Sequence, residues 1–353
     1  MKYIHLYQTV EEFDTDYWGE KYLEPWVSLT VEDEKVDYNK KPIPPLTFKI
    51  ISGGTVGWFD TSEDHSARRT IEYKINDNDW VEITSSWATK ISVNDGDIIQ
   101  FRGDNDSYTS WDEISEDYCS SCFVNSTATF EVEGNVMSLI KSSGYETLIE
   151  LQSAYTFKGL FKRCTGLTSA ENLILPATTL TYSCYQEMFS GCTNLTTAPK
   201  LPATTLANYC YQNMFAGCTS LTQAPELPAT TLAQSCYLWM FRDCTNLTQA
   251  PELPATTLVS ECYLYMFTGC TSLTKVPELP ATTLANRCYD NMFRGCTSLN
   301  YVKCLATDIS ANNCTSDWLY GVSPTGTFVK DANMASWRTG RSGIPNGWTV
   351  QDA

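Results

Sequence analysis

The hexapeptide Leu-Pro-Ala-Thr-Thr-Leu decides the fold of this chain, because it occurs five times at one constant spacing. The copies begin at Leu175, Leu201, Leu227, Leu253 and Leu279, so the repeat has a 26-residue period. A fixed period of this length is typical of a solenoid, in which each repeat buries its apolar side only by stacking on its neighbours. The sequence therefore predicts a rod of stacked coils, an architecture that serves as a binding surface or a spacer.

One repeat, residues 201–226, shows what each coil is expected to contain. Leu206, Cys210 and Met214 recur at every fourth position, which is the spacing of one buried face of a helix. We therefore predict a short helix from about residue 207 to 216, with a threonine before it as the N-cap. With one short strand and one short helix per coil, and strands in the N-terminal part, the predicted fold class is α+β.

Glycine and proline mark the ends of these elements. Gly217 occupies the position where a helix ends in the left-handed conformation, and Asp243 replaces it in the next coil. Glycine stands at this position in the other coils, at Gly191, Gly269 and Gly295. Pro225 and Pro228 interrupt the extended segment that follows, so we expect each strand to be short.

A second signature runs through the same repeats, Phe-x-x-Cys-x-x-Leu followed by an extended segment and Leu-Pro. In one copy it falls on Phe215, Cys218 and Leu221, and five copies keep the same register. The pattern resembles the BspA-like family of leucine-rich repeats found in bacterial surface proteins, over roughly residues 154–318. The resemblance implies a leucine-rich-repeat solenoid with an adhesive role at a surface.

Ten of the 15 cysteines fall into two columns on the same grid. The columns are Cys184, Cys210, Cys236, Cys262 and Cys288, and Cys192, Cys218, Cys244, Cys270 and Cys296. Stacking turns each column into a ladder of small buried side chains, so we interpret these cysteines as reduced core thiols. Disulfides within a column stay an alternative.

Cys119 and Cys122 form one isolated Cys-x-x-Cys, and with two histidines in the chain we expect no metal site and no cofactor.

Charge divides the chain at about residue 150. Residues 1–150 hold 29 acidic and 12 basic residues, and residues 151–353 hold 12 of each, so the net charge of −17 lies in the first part. Phosphate binding needs clustered lysine and arginine, so we expect no nucleic acid partner.

The sequence divides into five predicted parts. Residues 1–41 are expected to be an extended attachment segment, 46–134 a small β-sandwich-like domain, 135–153 a connecting helix, 154–318 the solenoid, and 319–353 a C-terminal cap. The β domain is predicted from short alternating segments separated by turns. These segments are Leu46–Ile51, Thr70–Ile75, Trp80–Ile83, Lys90–Val93, Ile98–Arg102 and Ala128–Val132.

A further resemblance concerns residues 22–28 and 36–39, which look like the leader of structural proteins of phages and prophages of gut Bacteroidetes. The end of the chain, residues 343–348, also looks like the end of repeat proteins from those bacteria and their phages. Residues 1–10 do not form the apolar core of a signal peptide, and no apolar stretch is long enough to cross a membrane. We therefore expect a protein assembled in the cytoplasm and carried on a virion, with the bacterial cell surface as the alternative location.

Three functions from different classes are compatible with these features. The first is a non-enzymatic binding or structural protein, a phage or prophage fibre or decoration protein that contacts the bacterial surface. The second is a BspA-like bacterial surface adhesin, and the third is a glycan-active enzyme with its site in the β domain. No hydrolase, metalloprotease or nucleotide-binding motif occurs, and acidic pairs such as Asp112 and Glu113 are interpreted as solvated loop.

The candidate ligand face is taken from positions that differ between otherwise identical repeats. It consists of Tyr182, Tyr209, Trp239, Tyr265 and Arg287, which lie beside the recurring apolar residues on the predicted helices. Exposed aromatics supply large contact area at low entropic cost, so this face is predicted to bind a surface glycan or protein. The alternative is neutral variation on a tolerant surface.

Residues 1–41 are predicted to bind another virion or surface protein, and homo-oligomerisation stays open.

Overall fold

The computed structural model describes residues 42–59, 69, 71–84, 88–105, 109–112, 117–120 and 122–353. Only the backbone is described for residues 109–112 and 117–120. The predicted attachment segment at residues 1–41, with its phage-like motifs, lies outside the described residues.

The N-terminal region contains a six-stranded sheet of β1 (Leu46–Ser52), β3 (Ile71–Ile75), β4 (Val81–Glu82), β6 (Ile98–Gly103), β10 (Thr129–Asn135) and β11 (Leu167–Ile174). The strands lie in the order β11-β10-β1-β6-β3-β4. All neighbours are antiparallel except β10 and β11. Each of the six segments predicted as strands overlaps a strand of the structure, so these predictions are confirmed.

A second sheet pairs β2 (Gly54–Phe59) with β5 (Ala88–Val93) and β9 (Cys122–Phe123), and β7 (Thr109–Asp112) pairs with β8 (Asp117–Ser120). Phe48 of the first sheet lies 4.7 Å from Phe123 of the second, measured between ring centroids, so the two sheets share a core. The sequence did not predict β2, because its glycines resemble a turn. A Cβ on Gly57 would lie 1.9 Å from the Val124 carbonyl oxygen, so this strand needs glycine for its close approach to the next segment.

The first coil of the solenoid is continuous with this β region. Its strand β11 pairs in parallel with β10, with Leu173 opposite Gly134. Phe161 of the same coil lies 5.6 Å from Phe123 and stacks 5.4 Å from Phe189 of the next coil. Between β10 and β11 the chain forms two 3₁₀ helices, Val136–Leu139 and Tyr145–Thr147. The β region therefore covers the apolar end of the stack that would otherwise face water.

The prediction of one α-helix per coil is wrong, and with it the α+β class: the described residues are nearly all β and turn. In the segment predicted as helix, every second N–H donates to the carbonyl three positions earlier, as Met214 does to Tyr211 at 3.1 Å. The N–H groups between them donate to the next coil, as Asn213 does to Leu238 at 2.9 Å. An α-helix would instead direct each of these groups four positions back along the chain. We call residues 207–218 and their counterparts in the other coils the turn segments.

The turn segments bend at every fourth position, and this explains the error. Tyr209, Asn213 and Gly217 have φ of 59°, 54° and 74°, in the left-handed region. The period of four places pairs of residues inside, such as Cys210 and Tyr211. Two turns of an α-helix give nearly the same spacing of apolar residues, so the sequence pattern does not separate the two structures. The left-handed conformation predicted for Gly217 and for Asp243 is confirmed.

The extended side of each middle coil makes isolated bridges rather than strands. Gln223 pairs with Gln249, and Gln249 with Lys275, one bridge in each coil at this position. Prolines that follow shortly afterwards, such as Pro225, have no N–H with which to extend the ladder. Longer strands occur where the repeat sequence decays, in the parallel sheet β12 (Tyr301–Cys304), β13 (Gly326–Lys330) and β14 (Trp348–Asp352).

The interior of the solenoid is built of ladders of identical side chains. Phe215 stacks between Phe189 and Phe241 at 5.4 and 5.6 Å, with the first pair of rings 1° from parallel. A second ladder contains Tyr185, Tyr211, Tyr237, Tyr263 and Tyr289. Both cysteine columns are buried, as predicted. Their thiols are not bonded to one another, and Cys218 Sγ donates to the Phe189 carbonyl oxygen at 3.1 Å.

Candidate binding face on the turn segments

The five predicted site residues all lie at the outer side of the turn segments. Tyr182 is 43% exposed, and the other four are half-buried. Trp239, Tyr265 and Arg287 have positive φ, between 53° and 56°. At these bends the larger side chains reach the outer surface, whereas Asn291, at the same bend as Trp239 and Tyr265, is buried. We call this outer surface of residues 154–322 the turn face.

Not every variable position of the repeats lies on the turn face. Leu238 and Leu264, at positions that vary between repeats, are buried at 8% and 5% exposure. Asp290 occupies the corresponding place in a later coil and is also buried, as is Asn291 after it. The helix predicted from the sequence placed these positions at the surface, whereas in the structure their side chains are buried.

Three tyrosines form one cluster on the turn face. The rings of Tyr182 and Tyr209 lie 5.4 Å apart, and Tyr155 lies 5.3 Å from Tyr182 on the other side. The sequence missed Tyr155 because the first repeat is imperfect. Its position contained a signal, since the interval from Tyr155 to Tyr182 equals that from Tyr182 to Tyr209.

A second cluster contains Trp239 and Tyr265, whose rings are 5.8 Å apart and inclined at 47°. The guanidinium of Arg242 lies 5.7 Å from the indole, within the range of a cation–π contact. Arg242 Nε also contacts Asp243 at 3.1 Å. The indole therefore has an exposed cation directly beside it.

Arg287 is held in place by two carboxylates. Its Nη1 lies 3.1 Å from Glu261 and its Nε 2.8 Å from Asp290. The hydrogen bond with Asp290 raises the pKa of Arg287 above its ordinary value. Ser235 donates to the other oxygen of Glu261 at 2.9 Å, which fixes that carboxylate in turn. These contacts fix the position of the Arg287 side chain, which was predicted to contact a ligand.

The last coil adds a cluster that the sequence did not predict. Tyr320 is 48% exposed, with the guanidinium groups of Arg294 and Arg341 at 5.4 and 5.0 Å from its ring. Asp317 accepts from both Nε and Nη2 of Arg341, at 2.5 and 2.7 Å, and this pairing lowers the pKa of the Asp317 carboxyl. The repeat pattern did not predict this cluster because Arg341 lies in the segment after the repeats.

The extended side of the coils has a different character. A groove of about 480 Å³ lies between two coils, lined by prolines such as Pro225 and Pro251. The acidic side chains along it, Glu226 and Glu252, are exposed. The groove contains no aromatic ring, in contrast to the turn face.

Two further properties concern the part of the chain that the structure describes. It contains no group of three or more histidine, cysteine or acidic side chains arranged to hold a metal ion. No helix among the described residues combines the length and apolar character needed to span a bilayer.

Stacked coils with buried Phe, Cys and Leu ladders define a leucine-rich-repeat solenoid. Residues 151–245 and 211–316 match a family model described as "BspA type Leucine rich repeat region (6 copies)". Residues 151–316 are therefore BspA-type leucine-rich repeats, and the resemblance recognised in the sequence is confirmed for this part of the chain. No curated protein and no solved structure matches the chain.

Proposed function

We propose that the protein is a non-enzymatic binding protein that attaches to a bacterial surface through the turn face, as a fibre or decoration protein of a phage or prophage virion. The BspA-type repeats indicate a surface or binding protein. The observation that supports the turn face as the binding surface is its series of exposed and half-exposed aromatic residues beside arginines.

The composition of the turn face supports binding rather than folding. Tyrosine, tryptophan and arginine are the residues most enriched among those that dominate interface energies. The interior ladders already satisfy the packing needs of each coil, and neighbouring coils have Asn213 and Asn291 where Trp239 and Tyr265 stand. The fold therefore does not require an aromatic residue at these positions.

The pairing of the acidic residues supports a non-enzymatic role for this face. Glu261 and Asp290 contact Arg287, and Asp317 contacts Arg341. A glycosidase needs one carboxyl group with a raised pKa to act as the acid. At Asp317 the hydrogen bond from Arg341 has the opposite effect and lowers the pKa of the carboxyl.

The virion setting rests on the sequence resemblance of residues 22–28 and 36–39, which we propose to attach the protein to another virion component. A bacterial surface adhesin is the second candidate, and the BspA-type repeats favour it. Both candidates use the turn face in the same way and differ in what holds the other end of the chain.

The test is adsorption of the purified protein to bacterial cells. We expect Trp239→Asn/Tyr265→Asn to abolish adsorption, because it removes two adjacent aromatic contacts. Asparagine is chosen because it tolerates the left-handed conformation and stands at these positions in neighbouring coils. The matched control is Gln223→Ala/Gln249→Ala, which alters two exposed residues of neighbouring coils outside the turn segments. Full adsorption by the Trp239/Tyr265 variant would refute the proposed binding face.

A further inference from the structure

We infer that the turn face binds a linear, negatively charged polysaccharide, laid along a diagonal row of aromatic residues. The inference rests on the proposed function and specifies its ligand. The row has one aromatic residue in each of five successive coils and a sixth two coils further on. Its members are Tyr155, Tyr182, Tyr209, Trp239, Tyr265 and Tyr320. We call these six residues the aromatic row.

The aromatic row crosses the turn face obliquely. Its first three members lie at or next to the first bend of their turn segments, near Ser183 and Tyr209, and Trp239 and Tyr265 lie at the second bend. Tyr320 directly precedes the third bend, at Gly321. Coils stacked at about 4.8 Å give the row a length of about 30 Å over six steps. A row one residue wide and this long suits a chain-like ligand better than a broad protein surface.

Exposed cations accompany the row in the middle and at one end. Arg242 lies 5.7 Å from the ring of Trp239, whereas Lys158, 5.6 Å from the ring of Tyr155, is buried. At the far end Tyr320 has Arg294 and Arg341 at its ring. These two exposed sites are three coils apart, or about 15 Å. A polymer with a regularly repeated negative charge can therefore engage more than one of them at once.

The charge of the turn face differs from that of the whole chain. Its exposed and half-exposed basic residues, with the cap arginine that joins them, are Lys162, Arg163, Arg242, Arg287, Arg294 and Arg341. Its acidic residues are Glu187, Asp243, Glu261, Asp290 and Asp317, and each contacts one of these bases. With six exposed or half-exposed cations against five carboxylates, the face has a small local excess of positive charge on a chain of net charge −17. This local excess complements an anionic ligand.

The combination of rings and cations points to an acidic sugar polymer. A sugar ring presents an apolar C–H face that packs on an aromatic side chain, and a uronic acid adds a carboxylate for which arginine is a strong partner. Nucleic acid is a poorer match, because phosphate at every residue needs a denser array of cations than this partly neutralised face offers. The aromatic row and the spaced cations together favour a carboxylated polysaccharide.

The experiment is calorimetric titration of the full chain with polygalacturonate, and with uncharged dextran for comparison. We expect binding of polygalacturonate alone, weakened by salt because the contacts are charged. Affinity should rise with oligomer length until the chain spans both exposed cationic sites. Equal binding of dextran, tighter binding of single-stranded DNA, or no binding of polygalacturonate would overturn the inference.

Two single substitutions locate the site. Arg242→Gln, at the centre of the row, should weaken polygalacturonate binding about tenfold by removing a charge-assisted contact. Lys275→Gln removes the same charge from an exposed residue outside the turn segments, and we expect no change in affinity. Equal losses in both variants would mean that the polymer responds to overall charge, and the inference would fail.

Failure of the inference differs from failure of the proposed function. If Trp239→Asn/Tyr265→Asn loses adsorption to cells while the unaltered protein ignores polygalacturonate, the binding face stands and its ligand is of another class. If polygalacturonate binds the row but the same variant adsorbs to cells normally, the site exists and its proposed role in attachment is wrong.

Discussion

The interior of the solenoid and its turn face use aromatic residues in opposite ways. Inside, Phe189 and Phe215 stack 1° from parallel, and the same residue recurs in every coil. On the turn face, Tyr182 and Tyr209 are inclined at 59°, and Trp239 and Tyr265 at 47°. The two regions belong to the same repeat, yet one is identical from coil to coil and the other changes.

The difference separates the positions that packing restricts to one residue type from those that it leaves variable. A ring in an interior ladder must match the rings above and below it, because interiors are close-packed and a change of one member leaves a void or a clash. A side chain that reaches the surface at an outer bend is packed against the protein on one side and faces solvent on the other, so its size and shape are less restricted. Identity between coils therefore marks the interior ladders, and those variable positions that reach the surface, such as Trp239 and Tyr265, are free to serve binding.

The largest expected effect is unfolding of the solenoid in alkaline solution. Burial raises the pKa of the thiols of Cys184, Cys236 and Cys244 to about 12, from an ordinary value of 9.0. A folded-state pKa above the unfolded value gives stability that is complete below about pH 9 and is lost as the pH rises towards 12. Each such thiol is worth on the order of 4 kcal/mol, so three approach the whole stability of a typical domain, about 5–15 kcal/mol.

The measurement is the melting temperature of the full chain between pH 6 and pH 12. We expect little change below pH 8 and loss of the folded state before pH 12. Alkylation at pH 8 should leave Cys210 and Cys218 unmodified, because both are fully buried. A melting temperature that is constant to pH 11 would contradict this prediction, and a large fall when reductant is added at pH 7 would show that disulfides join the coils.

A smaller effect is expected from removing one interior ring. Phe215→Ala should lower the free energy of unfolding by about 3–5 kcal/mol, because it opens a cavity between two stacked phenylalanines. Gln223→Ala alters an exposed residue of the same coil and should change it by less than about 0.5 kcal/mol. Chemical denaturation of both variants tests this contrast, and equal small losses would show that Phe215 does not contribute as a core residue.

Much of this architecture was predictable from the repeats. Spacing alone identified the stacked coils, the buried cysteine columns and the left-handed bend at Gly217, because each depends on a contact that recurs in every coil. The period-two alternation of the N-terminal region likewise identified six strands. The helix was wrong because a bend at every fourth position places Cys210 and Met214 inside just as a helix does. Hydrogen bonds to the next coil decide between the two structures, and they leave no trace in one coil's sequence.

The candidate site was predictable where it followed the repeat and not elsewhere. Variation between coils identified Trp239 and Tyr265, which the structure brings into contact. Tyr155 was missed because its repeat is imperfect, and Tyr320 because its partner Arg341 lies outside the repeats. A contact between a repeat and a segment outside the repeats, such as that of Tyr320 with Arg341, depends on the path of that segment, and the repeat spacing does not predict this path.

The measurement that tests the division between interior and turn face most directly is the free energy of unfolding of Trp239→Asn/Tyr265→Asn. The substituted residues are those that neighbouring coils have at the same bends, so the interior ladders are untouched. We predict a loss of at most about 1 kcal/mol, the scale of one aromatic pair, in a variant that no longer adsorbs to cells. A loss of about 2 kcal/mol or more, on the scale of core substitutions, would show that these aromatics belong to the fold and would contradict the account.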